Sequence, residues 1–328
     1  MNGRVAEANG RPEGRPSRQI NVIIRNQEPP VLSSAVPEKE PVPVQKSVVQ
    51  HTLYQEIEKE LDNLVGLESI KEFVFEIYAL LQIAHMRQDA GLACGGQVYH
   101  MVFKGNPGTG KTTVARIIAK LFQKMGVLSK GHLIEVERAD LVGEYIGHTA
   151  QKTRDLVKKA LGGILFIDEA YSLARGGEKD FGKEAIDTLV KAMEDHKNQF
   201  VLILAGYSDE IDYFLQTNPG LPSRFPIQVE FPDYSVDQLI QISELMAKER
   251  DYILMPQAIM RLRQHLLQEK NESEHAFSNA RYVRNTIEKS IRNQAVRLLH
   301  LYSNTNPGKL ELMTLRTEDF KLDNKGTF

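Results

Sequence analysis

From residue 53 the apolar positions of the chain fall at helical intervals. Leu53, Ile57, Leu61 and Leu64 form one stripe, and after the Val65-Gly66 break Ile70, Val74, Ile77 and Leu81 repeat it. This spacing predicts two amphipathic helices, which Gly91, Gly95 and Gly96 then close off. Beyond them, short apolar runs alternate with amphipathic stretches. The runs are Val98 to Phe103, His132 to Val136, Ile164 to Ile167, Phe200 to Ala205 and Ile227 to Phe231; the helical stretches open near Lys111, Thr149, Lys183 and Asp209. Repeated strand-then-helix order predicts an α/β fold with a parallel five-stranded sheet covered on both faces. Right-handed crossovers put the loops and candidate sites at the carboxyl ends of the strands.

After Pro232 the pattern turns helical. Ser235 with Gln238 forms a capping box for a helix running through Arg250. Pro256 suits the first turn of a second helix, which extends to about Glu269. Asn279 suits the N-cap of a third, with Val283, Ile287, Ile291 and Ala295 on one face. The expected organisation is a large α/β domain over 51–232 and a small helical domain over 233–328. Residues 1–50 stand apart, holding seven of the fourteen prolines. They have too little apolar surface to offset the entropy of ordering, which predicts a disordered tail. Its one β-prone run, Ile20-Asn21-Val22-Ile23-Ile24, could add to a sheet edge, bind a partner, or be a sticky spot in a floppy segment.

Composition narrows the chemistry. The 328 residues suffice for two folded domains, and 41% hydrophobic with 26% charged residues is ordinary for a globular protein. A net charge of −2 gives no basic field for nucleic acid or anionic membrane. The single cysteine, Cys94, rules out an intrachain disulfide framework and is read as a spectator. The nine histidines show no metal-ligand spacing. No apolar run approaches the length of a spanning helix, and the first residues lack a signal-peptide core, so the expected location is cytoplasmic.

The strongest chemical signal is Gly105-Asn106-Pro107-Gly108-Thr109-Gly110-Lys111-Thr112, with Thr113 beside it. It follows an apolar run and opens a helix, the context a phosphate-binding loop needs. Its glycines let the backbone turn its N–H groups inward onto phosphate oxygens, and the helix adds its positive end. Lys111 is expected to neutralise the β- and γ-phosphates of ATP, and the Thr112 hydroxyl to ligate Mg²⁺. The second signal is Ile164-Leu165-Phe166-Ile167-Asp168-Glu169, a buried strand ending in two acids. Asp168 is the expected Mg²⁺ holder and Glu169 the base that polarises the attacking water.

These motifs, with a helical domain after the sheet, resemble AAA+ ATPases. The stretches Ala139 to Gly147, Asp168 to Leu173, Ala205-Gly206-Tyr207, Asn218 to Leu221, Ser223-Arg224-Phe225 and Phe231-Pro232-Asp233-Tyr234 are similar to the red-type Rubisco activase-like group and to its sporulation branch. The likeness runs over roughly residues 52–300. It implies a homo-oligomeric, hexameric ring acting on a protein client, and a role in spore formation. Residue by residue, it implies that Val65-Gly66 is either the adenine-contacting turn or a plain helix break. It puts Arg224 at the arginine-finger position, acting in trans from a neighbouring subunit, with a surface salt bridge as the plainer reading. Arg281 falls at the second sensor position, with Arg284 one turn on as the fallback. The contact after the fourth strand, commonly asparagine, falls to Tyr207 or Ser208. Tyr145 lies where the central-pore loop is expected, either gripping peptide or folded back on its domain. Arg175 to Asp180 is a second pore loop or a solvated turn. Three functions follow from these readings: a threading remodeller, an ATP-switched scaffold, and a nucleic-acid motor. The absence of DNA-binding motifs and of a basic stripe argues against the last.

Overall fold

The computed structural model describes residues 45–93, 95–145, 147–175, 181–218, 220–272 and 277–322. The Ile20 to Ile24 run, Cys94, the side chain of Leu53 and the Gly176 to Asp180 stretch lie outside the described residues. Two helices lead, α1 (Gln45–Asp62) and α2 (Glu68–Asp89). The α/β region follows: β1 (Met101–Gly105), α3 (Lys111–Lys124), β2 (Leu133–Val136), α4 (Arg138–Leu141), α5 (His148–Ala160), β3 (Ile164–Ile167), α6 (Gly182–Asp195), β4 (Val201–Gly206), α7 (Ser208–Thr217), α8 (Leu221–Arg224) and β5 (Ile227–Phe231). The helical region comprises α9 (Val236–Lys248), α10 (Pro256–Glu272), α11 (Asn279–Leu301) and α12 (Lys309–Met313), with β6 (Ile253–Leu254) before α10 and β7 (Thr314–Leu315) after α12.

The five strands lie in the order β2-β3-β4-β1-β5, and every pairing is parallel. All residues of β3 and β4 are buried, which is why these strands read as unbroken apolar runs. Alternate residues face opposite sides. Met101, Phe103, Phe166 and Ile203 join one core with Val74, Val114, Phe122 and the lid's Leu239 and Val283. Val102, Leu165, Ile167, Leu202 and Leu204 join the other with Val157, Leu189 and Phe214. The first core runs without a break from the sheet into the helical region, so lid and sheet share one apolar interior.

Several expectations need correcting. Helix α1 opens at Gln45, so residues 45–50 of the expected tail are helical. Pro43 is the last proline before it, and nothing beyond that point blocks helical hydrogen bonding. The Ser235–Gln238 capping box forms in full, but Asn279 is not a cap. Ser278 holds that position, and Asn279 is the first helical residue, with φ +44° and its side chain bonded elsewhere. The buried stripe of α11 passes through Val283, Ile287, Ser290, Gln294 and Leu298, leaving Ala295 exposed. A strict four-residue spacing overshoots the 3.6-residue turn, and the stripe drifts off it. The short parallel pairing of β6 with β7 was beyond periodicity, since two residues define no period.

Candidate ATP site

The loop after β1 is shaped by positions that only glycine can fill. Gly105 has φ +139°, and a Cβ there would lie 2.3 Å from the Phe231 carbonyl oxygen. Gly108, at φ +71°, would meet the Ser278 carbonyl oxygen at 2.3 Å and the Arg281 nitrogen at 2.7 Å. The loop is thus threaded between β5 and the start of α11. Thr109 Oγ1 donates to the Asn106 carbonyl at 2.8 Å, and Asn106 Nδ2 donates to Asp233 at 3.0 Å, bracing the loop from outside.

Lys111 opens α3 and is buried, with 9% of its surface exposed. Its ammonium donates to the carbonyl oxygens of Gly105 and Asn106, each at 2.8 Å. Burial pushes its pKa down to about 8; Asp168 opposes that shift and Arg281 adds to it. An ammonium turned onto neutral carbonyls, beside a second cation, is poised to exchange them for an anion. Thr112 Oγ1 donates to Glu135 Oε1 at 3.3 Å, and Arg116 donates to Glu135 Oε2 at 3.1 Å.

Asp168 and Glu169 leave the carboxyl end of β3. The Asp168 N–H donates to the Val136 carbonyl at 3.0 Å, and the Glu169 N–H donates to Asp168 Oδ1 at 3.0 Å. Glu169 has φ +47°, a left-handed conformation costing on the order of 1 kcal/mol or more in a residue with a side chain. That turn ends the strand and carries the second acid to the wall of the cleft.

The cleft has a volume of about 360 Å³. Its walls are Gly105, Pro107, Gly108, Gly110, Lys111, Thr112 and Thr113 from the loop and α3, Asp168 and Glu169 from β3, and Arg281 and Arg284 from α11. Glu135, Arg116, Gly206, Tyr207 and Ala280 complete it. The structure thus brings together the expected loop, the two acids and both candidate lid arginines. Tyr207 lines the cleft, whereas the Ser208 hydroxyl donates to Glu230 at 2.6 Å. Val65 and Gly66 are not in the wall. Their turn is wedged beside it: a Cβ on Gly66 would meet Gln238 Nε2 at 2.3 Å, and one on Gly110 would lie 3.4 Å from Leu67.

Two expected residues sit elsewhere. Arg224 ends α8, with its guanidinium donating to the Gly220 carbonyl at 2.8 Å and to Glu194. Its surroundings include Val98, His100, Phe200 and Val201, which precede or open β1 and β4. In a parallel sheet these mark the amino ends, whereas the cleft lies at the carboxyl ends. A strand length of roughly 16 Å therefore separates Arg224 from its own cleft. Tyr145 is 65% exposed and meets His148 edge-on at 5.4 Å. The base of its loop is pinned by the Gly143 N–H donating to Thr149 Oγ1 at 2.9 Å. Arg175, where the second loop begins, lies 4.6 Å over the Tyr171 ring.

Sequence reading missed Glu135, Arg116 and Asn279. The Thr112–Arg116 spacing on α3 puts both on one helical face, a usable signal; Glu135 alone carries none. Among the described residues no cluster of three or more His, Cys, Asp or Glu could hold a metal. A hydroxyl with one or two carboxylates suits Mg²⁺, which takes much of its shell from water and substrate phosphates. No described helix is long and apolar enough to cross a membrane.

A phosphate loop before α3, paired acids after β3 and a helical lid closing on the same cleft define an AAA-type nucleotide-binding module. The family described as ATPase family associated with various cellular activities (AAA) matches residues 101–233, and the AAA lid domain matches residues 235–327. The chain is similar to stage V sporulation protein K of Bacillus subtilis, with 59% identity over 93% of this chain and 94% of that protein. It is 44% identical to the chloroplastic ribulose bisphosphate carboxylase/oxygenase activase of Cyanidioschyzon merolae, over 82% of this chain and 92% of that one. It is also 44% identical to protein CbbX of Cereibacter sphaeroides, over 81% and 86%. The chain belongs to the AAA ATPase family.

Proposed function

We propose that the chain hydrolyses ATP in this cleft as one subunit of a hexameric ring that remodels a protein client. The observation that supports this best is the convergence of Lys111, Thr112, Asp168, Glu169, Arg281 and Arg284 on one cleft from three separate stretches of chain. Lys111 exchanges its two carbonyl partners for β- and γ-phosphate oxygens, and the loop N–H groups from Gly105 to Thr113 cradle the rest. The Val65-Gly66 turn, beside the cleft rather than in its wall, would contact the base from the side. Thr112 and Asp168 would hold Mg²⁺, which neutralises phosphate charge when bound. Glu169 takes a proton from the water attacking the γ-phosphorus as the bond to the bridging oxygen breaks. Arg281 offsets the growing charge from the lid, with Arg284 beside it, and Tyr207 contacts the nucleotide from β4.

Arg224 belongs to the next subunit's site in this reading. Its position at the far end of the sheet supports this, since it cannot serve its own cleft. A ring follows from that sharing, and the exposed Tyr145 is the candidate grip on an extended client. The name of the 59% identical relative supports a role in spore formation. The lower likeness to Rubisco activases supports the type of machine but lends no client.

Glu169→Gln tests the reading. It keeps the side-chain shape and removes the base, so the variant is expected to bind ATP, hydrolyse it on the order of 100-fold more slowly, and hold the client in a stalled ring. Hydrolysis at the wild-type rate refutes Glu169 as the base. ATP-dependent rings of normal size that retain no client under stalled conditions favour an ATP-switched scaffold instead.

A further inference from the structure

Asn279 is fully buried and holds a left-handed φ of +44° at the first position of α11. Asparagine tolerates that conformation better than most residues. The N-cap residue before it, Ser278, makes no side-chain capping bond. Asn279 Oδ1 accepts from the Tyr234 N–H at 3.0 Å. Nδ2 donates to Asp233 Oδ1 at 2.7 Å and to the Phe277 carbonyl at 2.9 Å, with the Pro107 carbonyl more distant at 3.4 Å. Asp233 in turn accepts from Asn106 Nδ2, with 3.0 Å to each carboxylate oxygen. A continuous chain of side chains therefore runs from the phosphate loop, through the junction after β5, to the lid helix carrying Arg281 and Arg284. The backbone is equally close there, with the Ala280 N–H donating to the Gly108 carbonyl at 3.2 Å.

We propose that Asn279 is a positioning residue for the nucleotide cleft: through Asp233 and Asn106 it clasps the lid to the phosphate loop and sets where Arg281 and Arg284 stand. The inference rests on the cleft being the ATP site. Both faces of the amide are needed. Oδ1 satisfies a buried backbone donor, and Nδ2 donates a hydrogen bond to a carboxylate that otherwise relies on Asn106. No isosteric aspartate can do both, because it would set one carboxylate against another. Glycine keeps the left-handed backbone and removes only the amide, which separates the side chain's role from that of the backbone.

The test measures ATP affinity of the full chain by calorimetry for Asn279→Gly, for Asn279→Asp, and for Asn279→Asp combined with Asp233→Asn. The last pair reverses donor and acceptor across the same contact. The two single variants are expected to weaken ATP binding on the order of 10- to 100-fold, the usual range for a lost hydrogen bond to a charged group. Adding Asp233→Asn is expected to recover most of the loss in the aspartate variant. In an Arg281→Ala background, Asn279→Gly is expected to cost much less than it does alone, because the two changes would remove the same effect. Wild-type affinity in Asn279→Gly overturns the proposal. So does a loss that Asp233→Asn leaves unrelieved and that adds in full to Arg281→Ala, since general loosening of the fold would behave that way. If the wild-type chain binds no ATP, the cleft reading and the proposal fall together. If it binds and Asn279→Gly matches it, the proposal alone falls.

Discussion

Lys111 offers a direct reading of the cleft, because pH alone perturbs it. Its pKa falls from 10.5 to about 8 in the nucleotide-free chain, chiefly through burial. That difference is worth about 3 kcal/mol against the charged form. Phosphate oxygens favour the ammonium, so a bound nucleotide raises the pKa again. The sign follows from linkage. Below pH 8 the lysine is already charged and affinity is at its full value; above it, binding must take up a proton, and affinity declines. Between pH 8 and 9.5 the uptake is expected to grow from about half a proton to nearly one, and affinity to fall about 15-fold. ADP without metal is the suitable ligand, titrated by calorimetry in two buffers of different ionisation heat, above the range where its own phosphates titrate. The fold has the opposite dependence. The unfolded lysine stays charged up to 10.5, so Lys111 contributes a penalty that is present below pH 8 and relieved as pH rises from 8 towards 10.5. Lys111→Met should bind ADP more weakly and lose both dependences. Proton uptake that stays flat across this range, or that persists in Lys111→Met, refutes the assignment of the ammonium to the phosphates.

Two further outcomes probe the ring. Arg224→Ala should bind ATP nearly as wild type and hydrolyse it on the order of 100-fold more slowly; mixing it with Lys111→Ala subunits should restore part of the activity, and mixed rings with none would place the finger elsewhere. Tyr145→Ala should keep ring size and basal hydrolysis but lose client remodelling, with Tyr145→Phe retaining most of it; normal remodelling by the alanine variant would remove the support for threading.

The sheet was legible because β3 and β4 are buried on both faces, and burial on both faces writes an unbroken apolar run into the sequence. The phosphate loop was legible for a related reason: its glycines, lysine and threonine are consecutive, and their roles need only the local turn. The Asn279 cluster was not. It joins residues 106, 233 and 279 across the fold, and no short window holds the pattern. The capping rule even pointed the wrong way there, because the same amide that suits a helix start is bonded instead to the Asp233 carboxylate and the Tyr234 N–H. Glu135 was hidden for a similar reason, since one acid on a short strand acquires meaning only when β2 lies beside α3. His100 shows the converse. Its Nδ1 accepts from the Leu202 N–H at 3.0 Å, and burial takes its pKa down to about 4, so it stays neutral as part of the core.

The position of Arg224 carries an argument that its motif could not. Read from sequence alone, an arginine beside Ser223 and Phe225 could be a surface ion pair or a catalytic group. The structure shows the ion pair, with Glu194, and also shows the arginine a full strand length from the cleft of its own chain. The two readings need not compete. The Gly220 carbonyl anchors one side of the guanidinium, and its ion pair with the exposed Glu194 is only weakly retained, since a pair in that setting contributes about 1 kcal/mol or less. A γ-phosphate presented by another copy carries more charge and lies in a drier place, so it can take the guanidinium from Glu194. Glu194 would then keep the finger ordered until a neighbour's nucleotide arrives. On that account Glu194→Gln should leave ATP binding and ring formation intact and change only the hydrolysis rate, whereas Arg224→Ala abolishes most of it. Measuring hydrolysis against protein concentration separates the cases, because a finger acting in trans gives activity that rises with assembly, and one acting in its own chain does not.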